Sequence, residues 1–264
     1  MDLPAPHLTP IWRESGWGFE LASLRRSAVW RGEEVADGAG RPVLLIPGFL
    51  AGDGSLGTMT SWLRRAGYRT KRAGIRVNVG CSEAVCARME ERLEQMAEGS
   101  GERVAIIGQS RGGTFAKAIA ARRPDLVSGI VTLGSPLTNL FAVHPLVLAQ
   151  VGMVGVLGSL SFPGLLTHRC LRGECCQRFR QAFEGPFPED VGFLSLYSRM
   201  DGIVDWRACL DPDADAHVEV NSSHCGMSVN AAAYRATARA LESFAPGLAD
   251  PNPAARAADF TRAA

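Results

Sequence analysis

A mostly parallel sheet covered by helices on both faces is the architecture this chain predicts, and three observations predict it. Short apolar runs at residues 43–46, 103–107, 130–133 and 193–197 alternate with stretches of helical character, the pattern of a parallel α/β fold. The chain has 264 residues, 46% of them hydrophobic, enough to bury one large core and better suited to one domain than to two. Third, Gly108-Gln109-Ser110-Arg111-Gly112-Gly113 stands where an apolar strand runs into a helix rich in small residues. In such a sheet, function gathers at the carboxyl ends of the strands.

Composition excludes several classes. A formal net charge of +1 with scattered basic residues gives no field to draw in nucleic acid. The first seven residues lack the basic-then-apolar pattern of a secretory signal, so the expectation is a cytoplasmic or an already processed chain. Seven cysteines, at 81, 86, 170, 175, 176, 209 and 225, contain no Cys-x-x-Cys pair; this argues against a zinc ribbon, defines no disulfide framework, and leads to the expectation of no metal site and no cofactor. A bridge between Cys209 and Cys225 is the one pairing their positions suggest.

Along the chain, residues 1–40 carry Trp12, Trp17, Phe19 and Trp30 and end in a glycine-rich run; they predict a leading segment laid on the core, without visible chemistry. Residues 42–46 predict a strand that stops at Pro47-Gly48. Residues 55–66 predict a helix and 68–77 a strand with its connection. Residues 83–98 are amphipathic, with Val85, Met89, Leu93 and Met96 on one stripe, as in a surface helix packed on a sheet. The Ser110 strand and its helix, ended by Pro124, come next, and residues 125–135 add another strand.

From Leu126 to His168 the chain contains no Asp, Glu, Lys or Arg. Its second half, residues 145–167, has the length to span a bilayer, but it lies between two sheet strands and is interrupted by Gly152, Gly155, Gly158, Pro163 and Gly164. A cap over the strand ends, residues 137–190, is the better reading. It would wall an apolar pocket, with Leu50, Leu137, Leu146, Val147, Met153 and Val204 as candidate lining residues, and could touch a lipid interface. Residues 191–245 complete the core begun at 41–136: a strand at 193–197 leads into Asp201-Gly202, a short strand at 217–220 leads into His224, and residues 229–244 form the closing helix. Residues 246–264, proline-broken and alanine-rich, predict a flexible tail.

Gly-x-Ser-x-Gly between strand and helix is an elbow that pushes a serine hydroxyl out of a tight turn. A hydroxyl needs an adjacent base, and the base a group to fix its tautomer. The chain supplies Ser110, then Asp201 directly after a strand, then His224 in a loop between last strand and last helix, in the order expected of this fold type. Of the other histidines, His7 lies in the leading arm, His144 and His168 in the cap, and His217 begins a strand. Asp205 is the second candidate acid, one turn further along and suited to local capping. The oxyanion donors would be the backbone N–H of Phe49, after Pro47-Gly48, and of Arg111, after the nucleophile.

Residues 43–49, 108–113, 132–136, 197–204 and 223–227 together resemble the α/β-hydrolase superfamily, and within it the bacterial lipase and esterase branch with a Pro-Gly oxyanion turn, over about residues 40–244. Pro-Gly stands where His-Gly is more familiar. The resemblance implies an α/β-hydrolase fold with Ser110, Asp201 and His224 as its triad and is not specific for substrate; the apolar helical cap inserted before the acid-bearing strand is read from the residues alone and resembles no assigned cap. Fold, triad and apolar cap together lead to the expectation of a serine esterase or lipase acting on small-molecule esters of apolar acyl groups. A thioesterase or acyltransferase would use the same three residues, and a catalytically silent binding protein would keep the fold; the sequence leaves these open, together with the oligomeric state.

Overall fold

The computed structural model describes residues 10–33 and 35–245. The expectations about the first seven residues, His7 among them, and about the tail at 246–264 lie outside the described residues. The described chain opens with a 3₁₀ turn, Ile11–Gly16, and continues α1 (Trp17–Arg26), α2 (Ala28–Arg31), β1 (Pro42–Ile46), α3 (Gly57–Arg65), β2 (Arg69–Arg72), α4 (Ser82–Ser100), β3 (Val104–Gln109), α5 (Arg111–Arg122) and β4 (Val127–Leu133). After it come α6 (Pro145–Ser159), α7 (His168–Leu171), α8 (Gln177–Glu184), β5 (Gly192–Tyr197), β6 (Ala216–Glu219) and α9 (Ala231–Ser243).

The strands form one sheet in the order β2-β1-β3-β4-β5-β6, parallel at every pairing. Because side chains alternate across a strand, each of the four central strands β1, β3, β4 and β5 feeds two cores. Val43, Leu45, Ala105, Ile107, Val131, Leu133, Leu194 and Leu196 face a layer built from α1, α2, α3 and α9. Leu44, Ile46, Ile106, Ile130 and Phe193 face α4, α5 and α8. The α4 stripe of Val85, Met89, Leu93 and Met96 is buried in that second layer. The edge strand β2, Arg-Thr-Lys-Arg, carries mostly exposed charge, which blunts an edge against further pairing.

From β1 the chain moves to β2 on one side, then crosses back to β3 on the other. The carboxyl ends of β1 and β3 therefore flank a topological switch point, where such sheets leave a crevice. The turn after β1 holds Phe49, and the turn after β3 holds Ser110.

The apolar excursion at 137–190 divides. His144 accepts from the Leu146 N–H and caps α6, with Pro145 at its first turn. The helix ends at Ser159, and the following turn returns to the core through the Leu166 N–H to Val79 carbonyl bond of 2.7 Å. Among the described residues no helix is long and apolar enough to cross a membrane. By contrast, α8 belongs to the core layer: Phe179 and Phe183 are buried, and Phe179 meets Phe115 of α5 edge-on at 5.8 Å between centroids.

Candidate active site

Ser110 joins β3 to α5 with φ +52° and ψ −123°, a conformation that costs a non-glycine residue about 1–3 kcal/mol and persists only where its surroundings over-determine it. Those surroundings are visible. The Ser110 N–H is held by the Leu133 carbonyl of β4 at 2.8 Å, and its carbonyl accepts from Gly113 at 2.9 Å. A Cβ at Gly112 would collide with the Ile46 carbonyl, and one at Gly108 with the Gly112 backbone. Without glycine at both positions the turn could not close.

Asp201 follows β5 and is 1% exposed. Its Oδ1 accepts from the N–H groups of Ile203 and Val204, each at 2.8 Å, and its Oδ2 meets His224 Nδ1 at 2.7 Å. Gly134, at φ +55°, makes that approach possible, since a Cβ there would lie 3.0 Å from Asp201 Oδ2 and 3.1 Å from His224 Nδ1. Asp205 does something else: it caps the 3₁₀ turn Trp206–Cys209 through the Arg207 N–H. Of the remaining described histidines, His144 caps α6, His168 begins α7, and His217 bonds the Asp211 carbonyl.

His224 is 5% exposed. Burial opposes a charge on the ring, but the Asp201 carboxylate, its hydrogen bond and the more distant Glu14 outweigh it and hold the imidazole above the usual histidine range. With Nδ1 committed to the carboxylate, Nε2 is the ring nitrogen left for chemistry. His224 and Ser110 line one cleft together with Phe49 and Leu50. The Gln109 amide, beside the serine, donates to the His224 carbonyl at 3.2 Å and ties the two loops together.

The turn after β1 packs directly on the serine: a Cβ on Gly48 would lie 3.1 Å from Ser110 Cβ. Leu50 takes φ +58°, reversing the chain just past Phe49. Buried Asn78 holds this turn from three sides: its side chain donates to the Pro47 carbonyl at 2.8 Å, its carbonyl accepts from Leu50 at 3.3 Å, and its N–H donates to Ala51 at 2.8 Å. Arg111 opens α5, so its N–H is one of the first-turn amides a helix leaves without an internal partner. Its side chain is engaged by the loop at 78–82, donating to the Asn78 carbonyl and side chain, the Gly80 carbonyl and the Ser82 hydroxyl.

The leading segment is tied to the same loops. Glu14 accepts from the backbone N–H of Gly202 at 3.1 Å, His224 at 2.9 Å and Cys225 at 2.8 Å. Glu20 accepts from the Ser222 hydroxyl, the Ser223 N–H and hydroxyl, and the Asn230 amide. Sequence reasoning missed Asn78, Glu14 and Glu20. No spacing marks them, because their partners are mostly backbone groups far along the chain.

No family model and no curated protein sequence matches this chain. Solved structures do resemble it. A lipase of Bacillus licheniformis in its mature form superposes with a TM-score of 0.52 at 15% identity, over 74% of this chain and 89% of that one. A metagenomic carboxyl esterase gives 0.54 at 16%, over 80% and 75%. A monoacylglycerol lipase of Paleococcus ferrophilus gives 0.52 at 16%, over 80% and 97%. The fold is the α/β-hydrolase fold. Identities of this size carry the architecture alone.

On this α/β-hydrolase scaffold a second cavity, ≈ 160 Å³, opens beside Ser110, Phe49 and Arg111 against α6 and α7. Its walls are mainly apolar, with Leu140, Val143, Val147, Leu148, Val151 and Ile203 among them. Of the lining residues expected from sequence, Val147 faces this cavity and the neighbouring cleft, and Leu50 faces the cleft. Four are corrected. Leu137 and Val204 are buried in the protein interior, while Leu146 and Met153 lie on the outer face of α6, 55% and 63% exposed. For Leu146 and Met153 the physical reason is that α6 is apolar all round, so its sequence carries no sign of which side faces inward; Leu137 and Val204 lie outside α6 and are packed in the interior.

The cysteine expectations also change. Cys209 and Cys225 are both free thiols, the first buried and the second exposed, so the bridge between them is not formed. The expectation of no metal site meets a cluster that spacing could not show: Cys81, Cys170, Cys175 and Cys176 converge, with every sulfur within 4.8 Å of the others.

Proposed function

We propose that this chain is a serine hydrolase that cleaves carboxylic esters of apolar acyl groups through an acyl-enzyme on Ser110. The observation that carries the reading is the strained Ser110 elbow, φ +52°, opening into the cleft it shares with the Asp201-bound His224. In this mechanism Ser110 Oγ attacks the ester carbonyl while His224 Nε2 takes its proton. Asp201 keeps the Nδ1 proton in place and stabilises the imidazolium. The carbonyl oxygen, now negative, is held by the N–H groups of Phe49 and Arg111, each such donor contributing about 3 kcal/mol to the transition state. His224 returns the proton to the departing alcohol. Water, deprotonated by the same nitrogen, then releases the carboxylic acid and restores the serine.

The acyl group belongs in the cavity under the cap. Its ≈ 160 Å³ is close to the volume of about 150 Å³ known to hold a benzene ring, so acyl chains near six carbons fit and much longer ones require the cap to move. The names of the structural relatives, lipases and esterases, agree with an ester substrate. Outside the cavity, Leu146, Met153, Val156, Leu160 and Phe162 leave an exposed apolar face on and beside α6, which suits contact with aggregated lipid substrate.

The test is a panel of p-nitrophenyl esters and acyl-CoA thioesters of increasing chain length, run beside a fluorophosphonate label. Wild type should turn over short and medium oxygen esters and take the label, and Ser110→Ala should do neither. A folded wild type that neither labels nor turns over any member of the panel would favour a silent binding protein, and preference for the thioesters would shift the substrate class.

A further inference from the structure

Cys81 lies just before α4, Cys170 on α7, and Cys175 and Cys176 in the turn that leads into α8. Their sulfurs meet at 3.2 Å between Cys170 and Cys175, 3.5 Å between Cys81 and Cys176, and 3.8 Å for Cys81–Cys175 and Cys175–Cys176. A disulfide would require about 2.05 Å. Four sulfurs around one zinc ion at about 2.3 Å each stand about 3.8 Å apart along the edges of the tetrahedron. The observed separations are close to that edge length, and they are too tight for a polynuclear iron–sulfur cluster, whose ligands are spread over several irons.

We propose that Cys81, Cys170, Cys175 and Cys176 form a tetrathiolate site for a single zinc-class divalent ion that fastens the base of the cap to the core. An all-sulfur donor set selects a thiophilic ion over magnesium or calcium. On binding, the ion displaces the remaining thiol protons to solvent and forms four metal–sulfur bonds. No electron changes hands, and the site carries a net charge of 2−. Two features offset that charge. Cys81 stands at the amino end of α4, a 19-residue helix, where unpaired amides favour a thiolate. The Arg111 guanidinium is bonded to Gly80 and Ser82, on either side of Cys81. Cys175 is exposed while Cys176 is buried, which provides an entry path and a protected interior.

Four protein sulfurs leave no open position for water, so the ion is structural. Its place gives it a consequence. Cys170 and Cys176 line the same cavity as Ser110, so the ion would pin α7 and the start of α8 to the loop that also carries Asn78. The site is independent of whether Ser110 is a nucleophile.

The test is metal content of the full-length chain, purified without chelator and kept reduced with a phosphine. Wild type should retain close to one zinc per chain, and the stripped protein should take up Co²⁺ with sulfur-to-metal charge transfer and intense tetrahedral d–d absorption. Both signals should vanish in Cys81→Ser and Cys175→Ser and persist in Cys209→Ser. Stripping zinc should lower the melting temperature by several degrees. Circular dichroism of each variant separates lost ligands from lost fold, and the wild-type measurement decides by itself. A reduced wild-type chain that takes up no zinc or Co²⁺ from solution would overturn the proposal, as would Cys81→Ser binding as much as wild type.

Discussion

Asp201 and His224 have few alternative partners beside Ser110. Asp201 has both oxygens engaged, one by two backbone amides and one by His224, whereas Asp205 serves a local cap. Asp201→Asn should therefore lower kcat by ~10⁴, by leaving the imidazole in the wrong tautomer, while Asp205→Asn should stay within about twofold, a cap alone contributing about 1 kcal/mol to stability; steady-state kinetics on one short ester compares them. The pH profile adds a sign. The proposed mechanism needs neutral His224, so kcat/KM should rise as pH climbs through the histidine pKa, and in wild type that rise should lie above the usual histidine range because Asp201 and Glu14 favour the charged ring. Removing the Asp201 charge should move the acid limb of the residual activity to lower pH. These three positions stood out in the sequence because each has a local signature: glycines around Ser110, a strand end before Asp201, a loop before the last helix for His224. Asn78 and Glu14 have none, and Glu14 reaches the His224 N–H across 210 positions.

Two elements show where sequence pattern runs out. The leading segment looked inert because its carboxylates sit among aromatics with no partner nearby, yet the 3₁₀ turn and α1 deliver Glu14 and Glu20 to the histidine loop. Glu14 accepts three backbone N–H groups there, and charge-assisted bonds of this kind contribute about 1.5–3 kcal/mol each. Glu14→Gln should lower kcat about tenfold, with KM nearly unchanged, through loosened positioning of His224; stopped assays across substrate concentrations separate the two parameters. Helix α6 fails for the opposite reason. Being uniformly apolar, it concealed its phase, which the structure resolves by turning Val147, Leu148 and Val151 toward the cavity and Met153 outward. Val151→Trp should shift preference toward shorter acyl chains, and Met153→Trp should leave the chain-length profile as in wild type. The p-nitrophenyl ester series reads both.

For the molecule as a whole, strand order accounts for the site's location. Crossing from β2 back past β1 to β3 opens the crevice between the turns that carry Phe49 and Ser110, and the remaining strands bring Asp201 and His224 to the same end of the sheet. This much followed from alternating apolar runs and one glycine-flanked serine. The convergence of Cys81 with Cys170, Cys175 and Cys176 did not, since ligands gathered from either side of two sheet strands leave no spacing to recognise. The most direct test of the account is to mix the protein with a short p-nitrophenyl ester, quench with acid within the first turnovers, and map the peptides by mass. An acyl group on the peptide containing Ser110, absent from Ser110→Ala, is the predicted result. Ester turnover with no adduct on that peptide, or undiminished turnover by Ser110→Ala, would contradict it.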